Sequence, residues 1–120
     1  MVVNNNDDII DVTDPDRLLK RIQDQVRNEN VRITQHAHQE MAEENIYYKE
    51  VPETIMGGKI LENYPGHRRG ACCLLNGRTK TGRPLHVVCT TNRPFLVIIT
   101  VYEPRLPKWV TSEKRREKVE

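Results

Sequence analysis

The stretch Gly82-Arg83-Pro84-Leu85-His86-Val87-Val88-Cys89-Thr90 predicts an inner β-strand that carries a histidine. Pro84 has no N–H group to donate, which suits the first position of a strand. Side chains alternate between the two faces of a strand, so His86 lies on one face and three apolar side chains lie on the other. An imidazole in this position is either an inert, hydrogen-bonded group or a group placed for proton transfer.

Three further runs of apolar and β-branched residues predict three further strands. Residues 59–64 and 70–76 precede the quoted stretch, and residues 95–102 follow it. The last run pairs with the quoted strand as a hairpin through residues 91–94. Residues 77–82 form a polar, basic loop before the quoted strand. Four consecutive strands with short turns predict an antiparallel meander.

Helical spacing dominates the first half of the chain. Apolar residues and capping signals predict a first helix over residues 15–28 and a second over residues 35–44. Thr34 is the predicted N-cap of the second helix, and Asn45 ends it in the left-handed conformation. A third helix is predicted over residues 48–56, before the two glycines that stop it.

These elements predict an α+β fold in which N-terminal helices pack on one face of a curved four-stranded antiparallel sheet. Residues 31–34 are interpreted as a short strand or an extended lead-in. We expect a flexible arm over residues 1–12, one domain over residues 13–110, and a charged C-terminal tail over residues 111–120.

Composition and charge indicate the cell compartment in which the protein works and the class of partner that it binds. No apolar run is long enough to span a membrane, and the N-terminus lacks the pattern of a secretory signal, so a cytoplasmic protein is expected. The three cysteines are interpreted as buried thiols. Residues 1–60 hold 7 Lys and Arg against 12 Asp and Glu, whereas residues 61–120 hold 12 against 5. A basic second half favours a polyanion such as nucleic acid as a partner, with ordinary solvated loop charge as the alternative.

Two histidines and a tyrosine indicate acid–base chemistry on that partner. His36 lies in the first turn of the second helix, where the positive end of the helix dipole keeps an imidazole neutral and able to act as a base. His86 and Tyr102 lie on the last two predicted strands. The side chains that can bind phosphate oxygens are His67, Arg68, Arg69 and Arg83.

This set fits cleavage of RNA without a metal. A base takes the proton of the 2′-OH, which attacks the adjacent phosphodiester, and an acid protonates the departing 5′-oxygen. The attacking hydroxyl belongs to the substrate, so we expect no cofactor and no metal.

Four ordered motifs, at residues 33–37, 53–64, 82–88 and 100–102, resemble a family of small bacterial domains grouped with the barnase–EndoU–colicin–RelE superfamily of ribonuclease toxins. The resemblance covers residues 31–104. It implies a RelE-like fold, RNA-cleaving toxin activity and a cognate antitoxin protein. It also implies catalytic positions at His36 and His86 and a supporting one at Tyr102.

The chain departs from that pattern on the second helix. Related sequences carry arginines where this chain has Glu40 and Glu44, and a glycine where it has Asn45. The alternative function is therefore a catalytically degenerate module that binds RNA or protein. Residues 1–30 lie outside the resemblance and are interpreted as an antitoxin contact or an element of a homo-oligomer.

Overall fold

The computed structural model describes residues 13–106 and 108–115, in which helices come first and most strands follow. The elements are α1 (Pro15–Arg27), β1 (Val31–Ile33), α2 (Gln35–Glu44), α3 (Glu50–Met56), β2 (Lys59–Tyr64), β3 (Cys72–Arg78), β4 (Pro84–Thr90) and β5 (Leu96–Tyr102). No helix in these residues is long and apolar enough to cross a membrane. The predicted arm and the last five residues of the predicted tail lie outside the described residues.

Helix α2 begins and ends at the predicted residues. The Thr34 hydroxyl accepts a hydrogen bond from the Ala37 N–H group, and Asn45 adopts the left-handed conformation (φ 56°, ψ 45°). Ile46 then turns back, and its N–H group donates to the Met41 carbonyl at 2.8 Å. These two caps fix where the chain enters and leaves α2, and therefore where His36 lies.

The sheet has five strands, in the order β1-β5-β4-β3-β2, and not the four that the sequence predicted. Strand β1 pairs in parallel with β5, so the sheet is mixed and the prediction of a purely antiparallel sheet is wrong. The other neighbours are antiparallel, as the meander predicts. A three-residue strand carries too little pattern to reveal a parallel partner more than sixty residues away.

Strand β3 runs two residues further than predicted, through Gly77 and Arg78. Gly77 was interpreted as the start of a loop, but it is a point of close packing. A Cβ atom at Gly77 would lie 2.3 Å from the carbonyl oxygen of Thr54 in α3. The glycine therefore lets a helix backbone approach the strand directly.

The helices cover one face of the sheet. The core joins apolar side chains of α1, α2 and α3 to those of β3, β4 and β5, including Leu85, Val87 and Cys89. Residues paired across strands share a face, so the opposite face carries His86 with Tyr102, and Val88 with Thr100. We call this opposite side the helix-free face.

A short segment after β5 packs on the helix-free face. Residues 108–115, called the C-terminal segment below, place Trp109 on His86 and Arg115 on Glu62 of β2. The predicted tail is therefore in contact with the domain over residues 111–115. Trp109 packs on the sheet face, against His86.

Candidate active site

His86 and Tyr102 face each other across β4 and β5. They form a directly paired position, the His86 Nδ1 atom lies 3.1 Å from the Tyr102 hydroxyl, and the ring centroids are 5.2 Å apart. The sequence predicted that these two residues lie on adjacent strands, and the structure shows that they also share a face.

The C-terminal segment closes over His86, which has no exposed surface. The Trp109 ring meets the imidazole edge to face with centroids 4.4 Å apart. The backbone oxygen of Ser112 lies 2.6 Å from His86 Nε2. A carbonyl can only accept, so Nε2 carries the proton. In the neutral ring Nδ1 is then an acceptor, and the Tyr102 hydroxyl donates to it.

Burial sets the protonation states of this pair. Desolvation lowers the pKa of His86, partly offset by the Ser112 carbonyl, which favours the protonated ring. Desolvation raises the pKa of Tyr102. Both groups are therefore neutral near pH 7, as the direction of the hydrogen bonds requires.

One ion pair ties the C-terminal segment to the sheet. The Arg115 guanidinium donates two hydrogen bonds to the carboxylate of Glu62, at 2.6 and 2.7 Å, and lies 4.4 Å from the centroid of the Trp109 ring. The hydroxyl of Tyr64 donates to the same carboxylate. Hydrogen bonding from Arg115 holds the pKa of Glu62 below its usual range.

His36 lies apart from His86, on α2, and is linked to β5 through Glu40. Its side chain is 65% exposed, and its Nε2 atom lies 3.4 Å from the carboxylate of Glu40, one helical turn along α2. That carboxylate accepts hydrogen bonds from the Thr100 hydroxyl at 2.8 Å and the Val101 N–H group at 3.1 Å. Thr100 precedes Tyr102 by two residues on the helix-free face. Within the described residues, no hydrogen bond, ion pair or ring contact joins the two imidazoles directly.

Glu40 and Glu44 have a structural role at the edge of β5. Strand β1 ends at Ile33 and leaves the far end of β5 without a partner strand. Helix α2 runs along this edge, where Glu40 binds the N–H group of Val101 and Glu44 binds that of Glu103 at 3.0 Å. The carboxylates therefore satisfy backbone donors that a strand would otherwise bind.

The Arg83 side chain forms hydrogen bonds with other residues of the fold. Its guanidinium donates to the backbone oxygens of Glu44 and Asn45 at 2.7 and 3.0 Å, and to the carboxylate of Glu103 at 2.8 Å. A cation at the C-terminus of α2 binds the last carbonyls of the helix. Phosphate binding by Arg83 stays a prediction, and it would compete with these contacts.

His67, Arg68 and Arg69 occupy the exposed turn between β2 and β3. Cys72 follows this turn and pairs with Thr90, at the far end of β4 from His86. Thr90 lies four positions after His86 on β4, so their Cα atoms are about 13 Å apart. The structure thus places the predicted phosphate-binding residues at two opposite ends of the sheet and not around one phosphate.

The sequence reasoning missed Glu62, Ser112 and Arg115 as partners of the site. Ser112 contributes a backbone oxygen, which no side-chain pattern reveals. Glu40 could have been recognised, because it lies four residues after His36 on the same helix. Within the described residues, no group of three or more His, Cys, Asp or Glu side chains is arranged to hold a metal ion.

A model of the family described as a domain of unknown function (DUF4258) matches residues 33–103 of the chain. The matched range includes His36, Glu40, His86 and Tyr102, and it ends before the C-terminal segment. Neither the curated proteins nor the solved structures yield a match to the chain.

Proposed function

The chain belongs to the DUF4258 family, and we propose that it is a metal-independent endoribonuclease of toxin type with a RelE-like fold. The observation that carries the proposal is the pair of His86 and Tyr102 on the helix-free face. His36 is linked through Glu40 to Thr100, on the same strand as Tyr102. The helix-covered face offers no comparable group, since its side chains from β4 are Leu85, Val87 and Cys89.

In this proposal His36 is the general base. The Glu40 carboxylate beside Nε2 favours the tautomer that carries its proton there, and Nδ1 is then free to accept the proton of the 2′-OH. Glu40 is itself held by Thr100 and Val101, so it is a fixed support for the ring. Glu40 is a positioning residue, since it acts through His36.

Tyr102 is the general acid. Its raised pKa keeps the phenol protonated at neutral pH, so it can give a proton to the departing 5′-oxygen. His86 lies behind it and controls the direction of the phenol proton. Desolvation lowers the pKa of His86, so the imidazole behind the phenol is neutral at pH 7.

Arg68 and Arg69 bind phosphates of the flanking nucleotides in this scheme, because their turn lies at the far end of β4 from the pair. Each contributes one phosphate contact, so replacing both with alanine weakens RNA binding and lowers the salt dependence of binding by about two contacts.

The test is cleavage of single-stranded RNA in EDTA by the purified chain. We expect products that end in a 2′,3′-cyclic phosphate, and a loss of about 10²-fold or more in rate for His36→Ala and for Tyr102→Phe. The matched control is His38→Ala, because His38 is also exposed on α2. A rate that is equal in all four proteins would refute the assignment.

A biological readout belongs to the same proposal. Induced expression in a bacterial host is expected to arrest growth, and His86→Ala is expected to relieve the arrest. Co-expression of an antitoxin encoded beside the gene should also relieve it. Arrest that is as strong with His86→Ala as with the native chain would count against catalysis.

A second candidate is a non-catalytic module that binds RNA or protein. It is favoured by one observation: both nitrogens of His86 are bonded within the chain, to Tyr102 and Ser112. Under this alternative RNA is retained without cleavage, and the His36→Ala and Tyr102→Phe variants bind it as the native chain does.

A further inference from the structure

We infer that the C-terminal segment, residues 108–115, is an autoinhibitory cover that keeps the acid Tyr102 from donating its proton. The inference rests on the proposed function, because it concerns regulation of the same site. Three contacts carry it: the Trp109 ring on His86, the Ser112 carbonyl at His86 Nε2, and the Arg115 pair with Glu62.

The direction of the hydrogen bonds explains the inhibition. The Ser112 carbonyl fixes the proton on Nε2, so Nδ1 has only a lone pair, and the Tyr102 hydroxyl donates to that lone pair. The acid proton therefore points into the protein, away from a leaving oxygen. When the segment leaves, the imidazole can carry its proton on Nδ1 and donate to the phenol oxygen. The phenol proton is then free to turn outward.

The Ser112 oxygen also occupies a place that substrate could take. A phosphate oxygen is an acceptor like a carbonyl, so it can receive the Nε2 hydrogen bond once Ser112 has moved. A groove of about 390 Å³ opens along the border of the segment, lined by Ser112, Glu113, Lys59 and Arg78 among others. Two of these side chains are cationic, which suits an RNA strand that approaches His86 from this side.

The ion pair that holds the cover lies in part at the surface. The side chains of Arg115 and Glu62 are 40% and 23% exposed, so water competes for their ion pair. Opening the segment breaks this pair and exposes Trp109, but it leaves the core on the other face intact. Such partial opening costs less than unfolding the domain.

The experiment uses Trp109 as a reporter, because it is the only tryptophan in the chain. In the native chain it is 2% exposed. The Arg115→Glu variant places a carboxylate against Glu62 and is expected to open the cover. The control is Lys114→Glu, which makes the same charge change at the neighbouring exposed position. The double variant Glu62→Arg with Arg115→Glu restores an ion pair of opposite polarity.

For Arg115→Glu we expect red-shifted emission, stronger quenching by acrylamide, and RNA cleavage about fivefold to tenfold faster, which corresponds to about 1 to 1.4 kcal/mol. Lys114→Glu should match the native chain, and the double variant should regain much of its buried emission and its slow cleavage. Circular dichroism checks that each variant is folded.

The outcomes separate the two proposals. If the native chain cleaves RNA, and Arg115→Glu cleaves it at the same rate although Trp109 is exposed, the cover is overturned and the ribonuclease proposal stands. Emission that stays buried in a folded Arg115→Glu protein also overturns the cover. Exposed Trp109 with no cleavage by any of the proteins overturns the ribonuclease proposal, and the autoinhibition falls with it.

Discussion

The two faces of strand β4 are both buried, but they are buried by different kinds of structure. On the core face Leu85, Val87 and Cys89 have no exposed surface and lie under three helices. On the helix-free face His86 is equally inaccessible, yet it is covered by one short segment through a ring contact, a carbonyl and an ion pair. Full burial of a side chain therefore does not distinguish a core residue from one beneath a removable cover.

The largest expected effect is on the core face, at Gly77. In Gly77→Ala the new methyl group meets the Thr54 backbone, so α3 must move away from β3. We expect a loss of about 2–4 kcal/mol in the free energy of unfolding, measured by urea denaturation. Gly66→Ala is the control, because no atom lies within 4 Å of the Cβ position there. Equal stability of the two variants would show that α3 does not pack on β3 as described.

A matched pair of truncations on β4 compares the two faces directly. Val87 is fully buried against the helices, whereas the adjacent Val88 is partly exposed on the helix-free face. Val87→Ala should cost about 2–3 kcal/mol, and Val88→Ala about 1 kcal/mol or less. Chemical denaturation of both proteins measures the difference. A larger loss for Val88→Ala would reverse the assignment of faces.

Replacing Arg83 should have a smaller effect on stability. The result tests whether Arg83 stabilises the fold or binds the substrate. Arg83→Ala removes donors from the C-terminus of α2 and from Glu103, so it should cost about 1–2 kcal/mol. Arg68→Ala should leave stability unchanged and weaken RNA binding. The measurements are thermal unfolding and filter binding. A stable Arg83→Ala protein that has lost RNA binding would restore Arg83 to the phosphate site.

The smallest effect is a pH dependence of the cover. The pKa of His86 is lowered in the folded state, so below its ordinary value of about 6.5 the opened state binds more protons and closure weakens as pH falls. Glu62 has a lowered pKa too, and its contribution, present above its ordinary value of about 4.3, is lost at lower pH. The other charged or titratable groups facing His86 are Tyr102, Arg115 and Lys108.

Trp109 emission should therefore begin to shift red between pH 6.5 and pH 5, before the domain unfolds. Circular dichroism at the same pH values follows the domain itself. Emission that is constant from pH 7.5 to pH 5 would contradict the account of His86 as a neutral, covered imidazole.

Local signals predicted most of the secondary structure. Alternation and capping located β4, and they placed α2 between Thr34 and Asn45. The parallel pairing of β1 with β5 and the end of β3 were missed for physical reasons. Strand β1 is too short to show a period, and the end of β3 contains a glycine that permits close packing and so has no side chain to mark a strand.

The candidate site was predictable only where the alternation of side chains along a strand determines the face of a residue. Alternation separates His86 from the core side chains of β4, but its pairing with Tyr102 depends on the register of β4 and β5, which the sequence left open. By contrast, the engagement of Arg83 at the end of α2 depends on long-range contacts. The contact between Ser112 and His86 also could not be predicted from the sequence, because it is made by a backbone oxygen.

The most direct test of the central claim uses an oligonucleotide with one ribose in a deoxyribose chain and the opened Arg115→Glu variant, in EDTA. We predict a single cut on the 3′ side of the ribose, ending in a 2′,3′-cyclic phosphate, and no cut when that ribose is 2′-O-methylated. A cut in the methylated oligonucleotide, or an intact ribose-containing one while Trp109 is exposed, would contradict the account.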